Sequence, residues 1–382
     1  MRLPGEIEHK ILELIGMPEL NWKSVRTHNK RLNRIRKQMY KLSDDFAESS
    51  PSEIKYSDAY FAYNFPLNLM KVRSVVLQLK YLYPQVFEHL TEFRICDIGC
   101  GEGAGMLGIY YGLKQFETLK FTGFDTSPHI LRKCKHMMQW LKTVDERVQV
   151  RLQQQDMSHG LLKKKVAKYD IVILANSLTE MFTDGAIPVN FIERLLKSCA
   201  DNGMIIVLEP ATKNLSRQLM TLRDDIVSRQ KGQVLLPCLH SENCPLIDIR
   251  KQKDWCHQSI SWQPPDYLKI LNQGLNREIK RLKFSYLVIA QKKFPKPDTN
   301  TFLVISNLFK EKGKKRCFLC TPTGRVELVR LNKLKCPTNS EFDKILKGDI
   351  ISFKNVVQSK PHYWQIVENT KVKISYIAKI IN

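Results

Sequence analysis

Short apolar runs alternate with helical stretches between residues 89 and 215. FRICDIG (93–99), KFTGFD (120–125), VQVRL (148–152), YDIVILA (169–175) and GMIIVLE (203–209) read as strands, with helical segments between them. Strands spaced by helices predict a parallel, doubly wound α/β sheet. Two later runs, FSYLVIAQ (284–291) and TFLVIS (301–306), are expected to close that sheet as an antiparallel pair, which makes 216–283 an insertion. Residues 1–88 read as helical, with a loop at 49–53 and a break at Pro66, where the missing amide removes a hydrogen bond. The tail, 307–382, holds the strand-like pieces RCFLC, RVELVRL, DIISFK and KVKISYI and reads as a small basic β-rich region. The expected division is therefore 1–88, 89–306 and 307–382.

Charge changes this picture more than composition does. The 382 residues are 43% hydrophobic and 26% charged, which is globular usage for two or three domains. The net charge of +23 points to a polyanionic partner, and nucleic acid is the expected one. The excess is clustered. In NWKSVRTHNKRLNRIRKQMYKL (21–42), Lys23, Arg26, Lys30, Arg31, Arg34, Arg36, Lys37 and Lys41 have no acidic residue among them. On a helix they would offer a cationic surface to phosphates. No run of about 18 apolar residues appears, so no membrane span is expected. The opening MRLPGEIEHKILEL lacks a signal-peptide layout, and Glu6, Glu8 and Glu13 are foreign to a transit peptide. A cytoplasmic monomer is the expectation, with the mitochondrial matrix as the alternative compartment.

The strongest local motif is ICDIGCGEGAG (95–105). A strand ends in Asp97, and Gly99, Gly101 and Gly103 follow at alternating positions before a helix. Such glycines let the backbone turn tightly and approach a ligand. Asp125 in GFDTS is placed to accept hydrogen bonds from ribose hydroxyls, and Asp156 in QQQDM to meet an adenine amino group. No Walker lysine follows the glycines. The loop resembles that of the class I, Rossmann-like S-adenosylmethionine-dependent methyltransferases. That likeness implies cofactor contacts at Asp97, Gly99, Gly101, Gly103 and Asp125, with Asp156 beside them. A nicotinamide or flavin site, or a glycine turn without ligand, are the competing readings.

Ten cysteines are present. Cys96, Cys100, Cys134 and Cys199 lie on apolar or helical stretches and read as core. Cys238, Cys244 and Cys256 lie close together in LLPCLHSENCPLIDIRKQKDWCHQSISW, and Cys317 and Cys320 follow in RCFLCTPTGR. Soft thiolates select zinc, copper(I) or iron–sulfur clusters. The C-x5-C-x11-C spacing is neither a paired zinc knuckle nor a radical S-adenosylmethionine triplet. Counting alone allows zinc or a four-iron cluster. His240 and His257 sit beside the cysteines, with a supporting role expected, and Cys336 is a weaker candidate ligand.

Together, DIGCGEGAG, a strand ending LEP, the P-C-x-H…C-P-L…D-W-C-H segment, SYLVI and LCTPTGR resemble one family over roughly residues 55 to 330. It is the methyltransferase-like small-ribosomal-subunit assembly proteins, known in mitochondria and with bacterial relatives. The resemblance implies a seven-stranded methyltransferase sheet with a metal-bearing insertion. It implies a partner in the small ribosomal subunit and its rRNA, and a role in assembly and translation. It also implies a 4Fe-4S cluster on Cys238, Cys244, Cys256 and Cys320, with Cys317 spare. Ala211 stands where the family tends to carry glycine, and ANSLTE (175–180) is a looser match.

Catalytic signals are sparse. The loop after the fourth strand reads Asn176, Ser177, Leu178, Thr179, Glu180, without the Asn-Pro-Pro-Tyr clamp or a nucleophilic cysteine. Glu180 and Glu209 are the candidates for a general base or orienting group. An rRNA methyltransferase and a non-catalytic assembly factor that keeps the fold as a scaffold are the two main readings. A metal- or redox-sensing regulator of translation is the third.

Overall fold

The computed structural model describes residues 1–48, 57–88, 91–113, 115–158, 168–182, 187–247, 254–298 and 300–376. The loop expected at 49–53 lies outside them. Three helices come first: α1 (Gly5–Leu14), α2 (Asn29–Glu48) and α3 (Ser57–Leu82). The sheet region follows as β1 (Glu92–Ile98), α4 (Ala104–Gly112), β2 (Thr118–Asp125), α5 (Pro128–Val144), β3 (Val148–Gln154), β4 (Tyr169–Ala175), α6 (Leu178–Met181) and α7 (Val189–Lys197). It continues through β5 (Cys199–Pro210), α8 (Lys213–Ser228), β6 (Gln233–Leu236), β7 (Gln258–Ser261), α9 (Asp266–Gly274) and β8 (Arg281–Ala290).

The strands lie in the order β3-β2-β1-β4-β5-β8-β6, with β7 paired to β8. Strands β1 to β5 are parallel, and β8 runs antiparallel to both β5 and β6. This is a doubly wound α/β sheet, with eight strands where seven were expected. Alternation along each strand feeds two cores. Phe93 and Ile95 of β1 pack with α3 and α4, while Cys96 and Ile98 face α7 and α8. Strand order reverses between β1 and β4, and the crevice at such a reversal is where doubly wound sheets hold ligands.

Two expectations are corrected. α3 runs through Pro66 without a break. Proline removes the amide that would bond the Ala62 carbonyl; the Tyr267 hydroxyl donates to that carbonyl instead, at 3.0 Å. FSYLVIAQ does enter the sheet, as β8, but TFLVIS does not. The sheet's last strand is β6, taken from the segment expected as an insertion, and β7 comes from there too. A four-residue edge strand is too short to show a period.

TFLVIS forms β9 (Thr301–Val304) of a second sheet, with β10 (Phe309–Glu311), β11 (Lys314–Thr321), β12 (Gly324–Leu331), β13 (Ile350–Lys360) and β14 (Tyr363–Tyr376). The order is β10-β11-β12-β14-β13-β9, and β9 also pairs with β11. Five strands thereby close into a barrel around Phe302, Leu319, Leu328, Phe342, Phe353 and Trp364. No helix among the described residues is long and apolar enough to cross a membrane.

Candidate functional site

A cavity of about 530 Å³ opens at the β1/β4 reversal. Asp97, Gly99, Gly101, Asp125, Asp156 and Glu180 all line it. The glycine loop between β1 and α4 turns through positive φ at Gly99 (68°), Gly101 (53°) and Gly103 (93°), a region disfavoured for other residues. Gly103 is not a lining residue. A Cβ there would stand 3.1 Å from Cys134 Sγ of α5, so it serves packing between the two helices.

Asp97 is the electrostatic centre of this cavity. It is buried, and neither carboxylate oxygen has a hydrogen-bond partner among the described residues. Burial raises its carboxyl to about 7, with the charge of Asp125 adding and the nearby Met106 amide opposing. Gly105 makes room for it: a Cβ at that position would lie 2.5 Å from Asp97 Oδ2. Asp125 accepts the Gly101 N–H at 2.9 Å and the Ser127 N–H at 2.9 Å, which fixes its carboxylate at the cavity edge. The Ser158 N–H donates to Asp156 Oδ1 at 2.8 Å, on an exposed side chain.

Glu180 and Glu209 separate. Glu180 lines the cavity from α6, whereas Glu209 is fully buried and accepts the Leu178 N–H at 3.0 Å, so it braces the loop after β4. Sequence reasoning missed the roof. Tyr60, Phe65 and Asn68 reach the cavity from α3. The signal was Asn68, a buried polar residue in an apolar helix. Asn176 also lines the cavity, at φ 62°, with a buried Oδ1 that has no partner among the described residues. Such strained positions cluster at functional sites.

The cysteines meet elsewhere, between the sheet and the barrel. Cys238, Cys244 and Cys256 line a small cavity of about 40 Å³ together with Arg223 and Lys347. Cys320, from β11, interacts electrostatically with all three. Burial raises the Cys244 thiol to about 12, with Cys238 adding, and raises Cys256 and Cys320 further. Cys317 points into the barrel core, because residues three apart on a strand face opposite sides. As placed, no group of three or more His, Cys, Asp or Glu among the described residues is arranged to hold a metal ion.

Cations surround these thiols, a feature missed in the sequence. Arg223 is buried and donates to the His240 carbonyl at 2.9 Å and to Asp224 Oδ1 at 2.6 Å. Lys296 and Lys347 are lowered to about 8 by burial, with the Cys238 and Cys256 thiols opposing that fall. Arg223 lies on the apolar stripe of α8 with Leu219, Leu222 and Ile226, which is the clue that was available. His240 Nε2 is 3.3 Å from Cys320 Sγ, and His257 Nε2 is 2.8 Å from Lys347 Nζ. Burial lowers both imidazoles to about 4, so they are neutral.

The basic segment divides into two sets. Lys30, Arg34, Lys37 and Lys41 are exposed and lie within about 60° of one another on α2. Lys23 and Arg26 are exposed in the turns before the helix. Arg31 and Arg36 serve the fold instead. Arg31 Nε donates to the Ile15 carbonyl at 2.8 Å, and Arg36 Nη2 to the Ile270 carbonyl at 2.7 Å.

Comparison with known proteins adds a family match. The family described as mitochondrial small ribosomal subunit Rsm22 matches residues 55–352. No curated protein matches the chain. Among solved structures, an S-adenosylmethionine-dependent methyltransferase from Clostridium acetobutylicum is 15% identical, with a TM-score of 0.29 over 40% of this chain. The match spans 54% of that protein's length. The plantazolicin methyltransferase BpumL, solved with a monoazolic desmethylPZN analog and SAH, is 13% identical, with a TM-score of 0.38 over 69% of this chain and 99% of its own. The magnesium protoporphyrin IX methyltransferase of Synechocystis, solved with bound SAM, is 16% identical, with a TM-score of 0.31 over 45% and 73%.

Proposed function

The chain belongs to the mitochondrial small ribosomal subunit Rsm22 family, and from that premise we propose that it binds S-adenosylmethionine and acts on the small ribosomal subunit through its rRNA. We place it in the mitochondrial matrix, on the family's description. The observation that carries the cofactor reading is Asp97, a buried carboxylate whose oxygens have no hydrogen-bond partner within bonding distance among the described residues, in the crevice of a doubly wound sheet. A lone buried carboxylate is costly unless a cation meets it. The ammonium group of the cofactor's methionine end is such a cation. Gly99 and Gly101 let the backbone close on the ligand, Asp125 would take the ribose hydroxyls, and Asp156 the adenine amino group. Gly103 supports the loop by packing. Bound S-adenosylmethionine supplies a methyl group on a sulfonium.

Cys238, Cys244, Cys256 and Cys320 would hold a 4Fe-4S cluster, or a zinc ion in its place. The support is that Cys320 lies close enough to feel the other three cysteines, in a setting that also holds Arg223, Lys296 and Lys347. Cysteine thiols must lose their protons to bind metal as thiolates, and nearby cations favour that. Because Cys320 comes from the barrel and the others from the sheet region, one shared group would join the two.

A second reading, a non-catalytic assembly factor, is favoured by the loop after β4. Of the two candidate glutamates, Glu209 accepts a backbone amide there and only Glu180 lines the cavity. One experiment separates the readings: equilibrium dialysis with labelled S-adenosylmethionine, followed by incubation with purified small subunits. Binding with methyl transfer to rRNA supports an enzyme. Binding without transfer supports the scaffold. Failure to bind the cofactor overturns the cofactor reading and leaves the scaffold.

A further inference from the structure

The barrel carries a ligand face of its own. Its strands close in the order β9-β11-β12-β14-β13, every pair antiparallel except β12 beside β14. A helical turn, Pro337–Lys344, lies between β12 and β13. This is the topology of the OB-fold, whose second and third strands, with the loops joining strands one to two and four to five, take oligonucleotides or oligosaccharides. Topology does not choose between those ligands. The side chains on the outer face do.

Alternation along β11 turns Cys317 and Leu319 inward and leaves Arg316 and Phe318 outside. Phe309, on the short strand β10 between β9 and β11, is 39% exposed and meets Phe318 edge-on at 6.1 Å between centroids. The Arg316 guanidinium lies 4.7 Å from the Phe309 centroid and 5.6 Å from that of Phe318; Arg325 of β12 lies 4.7 Å from Phe318. Glu311 and Glu327 hold Arg316 in place, at 2.6 and 3.4 Å. Residues 301–376 carry fifteen Lys or Arg against six Asp or Glu, so the barrel attracts anions. Aromatic faces interleaved with planar cations suit bases on a phosphate strand, since every base has a face to stack. A neutral sugar chain would make no use of the charge.

We propose that the outer face around Phe309, Arg316 and Phe318 binds a single-stranded RNA segment, with unpaired bases stacking on Phe309. The proposal rests on the reading that the protein's partner is RNA, and it assigns a site for the unpaired part. Bases within a duplex are already stacked on one another, so the face selects single strands.

The test is fluorescence anisotropy on the full chain, using a labelled oligouridylate of about 12 nucleotides and, separately, a duplex of the same length. Single-strand binding is expected to be at least about tenfold tighter than duplex binding. Phe309→Ala is expected to weaken it about tenfold, and Phe309→Trp to restore it. Phe309 is exposed, so neither change threatens the fold. Unchanged affinity in Phe309→Ala, or equal affinity for the duplex, overturns the proposal. If wild type and Phe309→Ala bind small-subunit rRNA equally, this face falls while the RNA reading stands. If the wild type binds no RNA at all, both fall.

Discussion

At the scale of single residues, Asp97 sets the chemistry. Burial holds its carboxyl near 7 instead of the ordinary 3.8, so the free protein carries it partly protonated at neutral pH. The cationic cofactor proposed for this cavity would pair with the ionised form. Affinity is therefore expected to rise from about pH 6 to about pH 8, as Asp97 loses its proton. The stability of the free protein runs the other way. A carboxyl whose folded value exceeds its unfolded one contributes stability at low pH and loses it as pH climbs from about 4 to about 7. Thermal shift across this range should show the free melting temperature falling while the cofactor-induced rise grows. Asp97→Asn should remove both trends and weaken cofactor binding by about tenfold or more, the scale of a charged hydrogen bond. Gly105→Ala tests the same carboxylate from the other side. Its Cβ would stand 2.5 Å from Asp97 Oδ2. Overpacking of this kind costs about 1–3 kcal/mol, and denaturant midpoints together with cofactor dialysis should show a lower stability and lost binding.

At the scale of elements, α2 separates structure from recognition. Leu32, Ile35 and Met39 are buried on one side, and Arg31 and Arg36 bond the fold. The remaining cations form the outward stripe. Over residues 29–41 the apolar positions Leu32, Ile35 and Met39 are already packed against the fold, and those cations face outward. Lys30→Gln with Lys37→Gln should leave the melting temperature unchanged and lower the salt slope of RNA binding by about 1.5, the release expected from two phosphate contacts. An unchanged slope in filter-binding titrations would remove α2 from the RNA surface. The periodic pattern showed α2 as a basic helix. It did not show which cations faced inward, because that depends on where the Ile15 and Ile270 carbonyls arrive.

At the scale of the whole molecule, the thiols lie where the α/β sheet meets the barrel. Arg325 of the barrel bonds Asp254 of the sheet region at 2.6 Å, and Lys347 reaches His257 beside Cys256. Cys244→Ser is expected to lose the bound metal, lower the melting temperature and reduce amide protection in β11, since metal binding is coupled to folding. Iron, sulfide and zinc content, with hydrogen exchange, check all three. Unchanged metal content would refute the four-thiol assignment. The same assay distinguishes a cluster of about four irons from a single zinc.

The sequence by itself determined the parallel sheet, the glycine loop, the acidic residues at the ends of β1, β2 and β3, and the group of cysteines. Those are local: a strand period, a turn that only glycine tolerates, a short spacing. Tertiary structure decided what depended on distant partners. Tyr267 let α3 pass through Pro66, β6 entered the sheet from within the cysteine segment, and β9 left for the barrel. That Cys320 sits beside Cys238, Cys244 and Cys256 while Cys317 fills the barrel core follows from which face of β11 meets the sheet region. Strand closure and side-chain convergence join residues far apart in the chain, and no local pattern records which of them will meet.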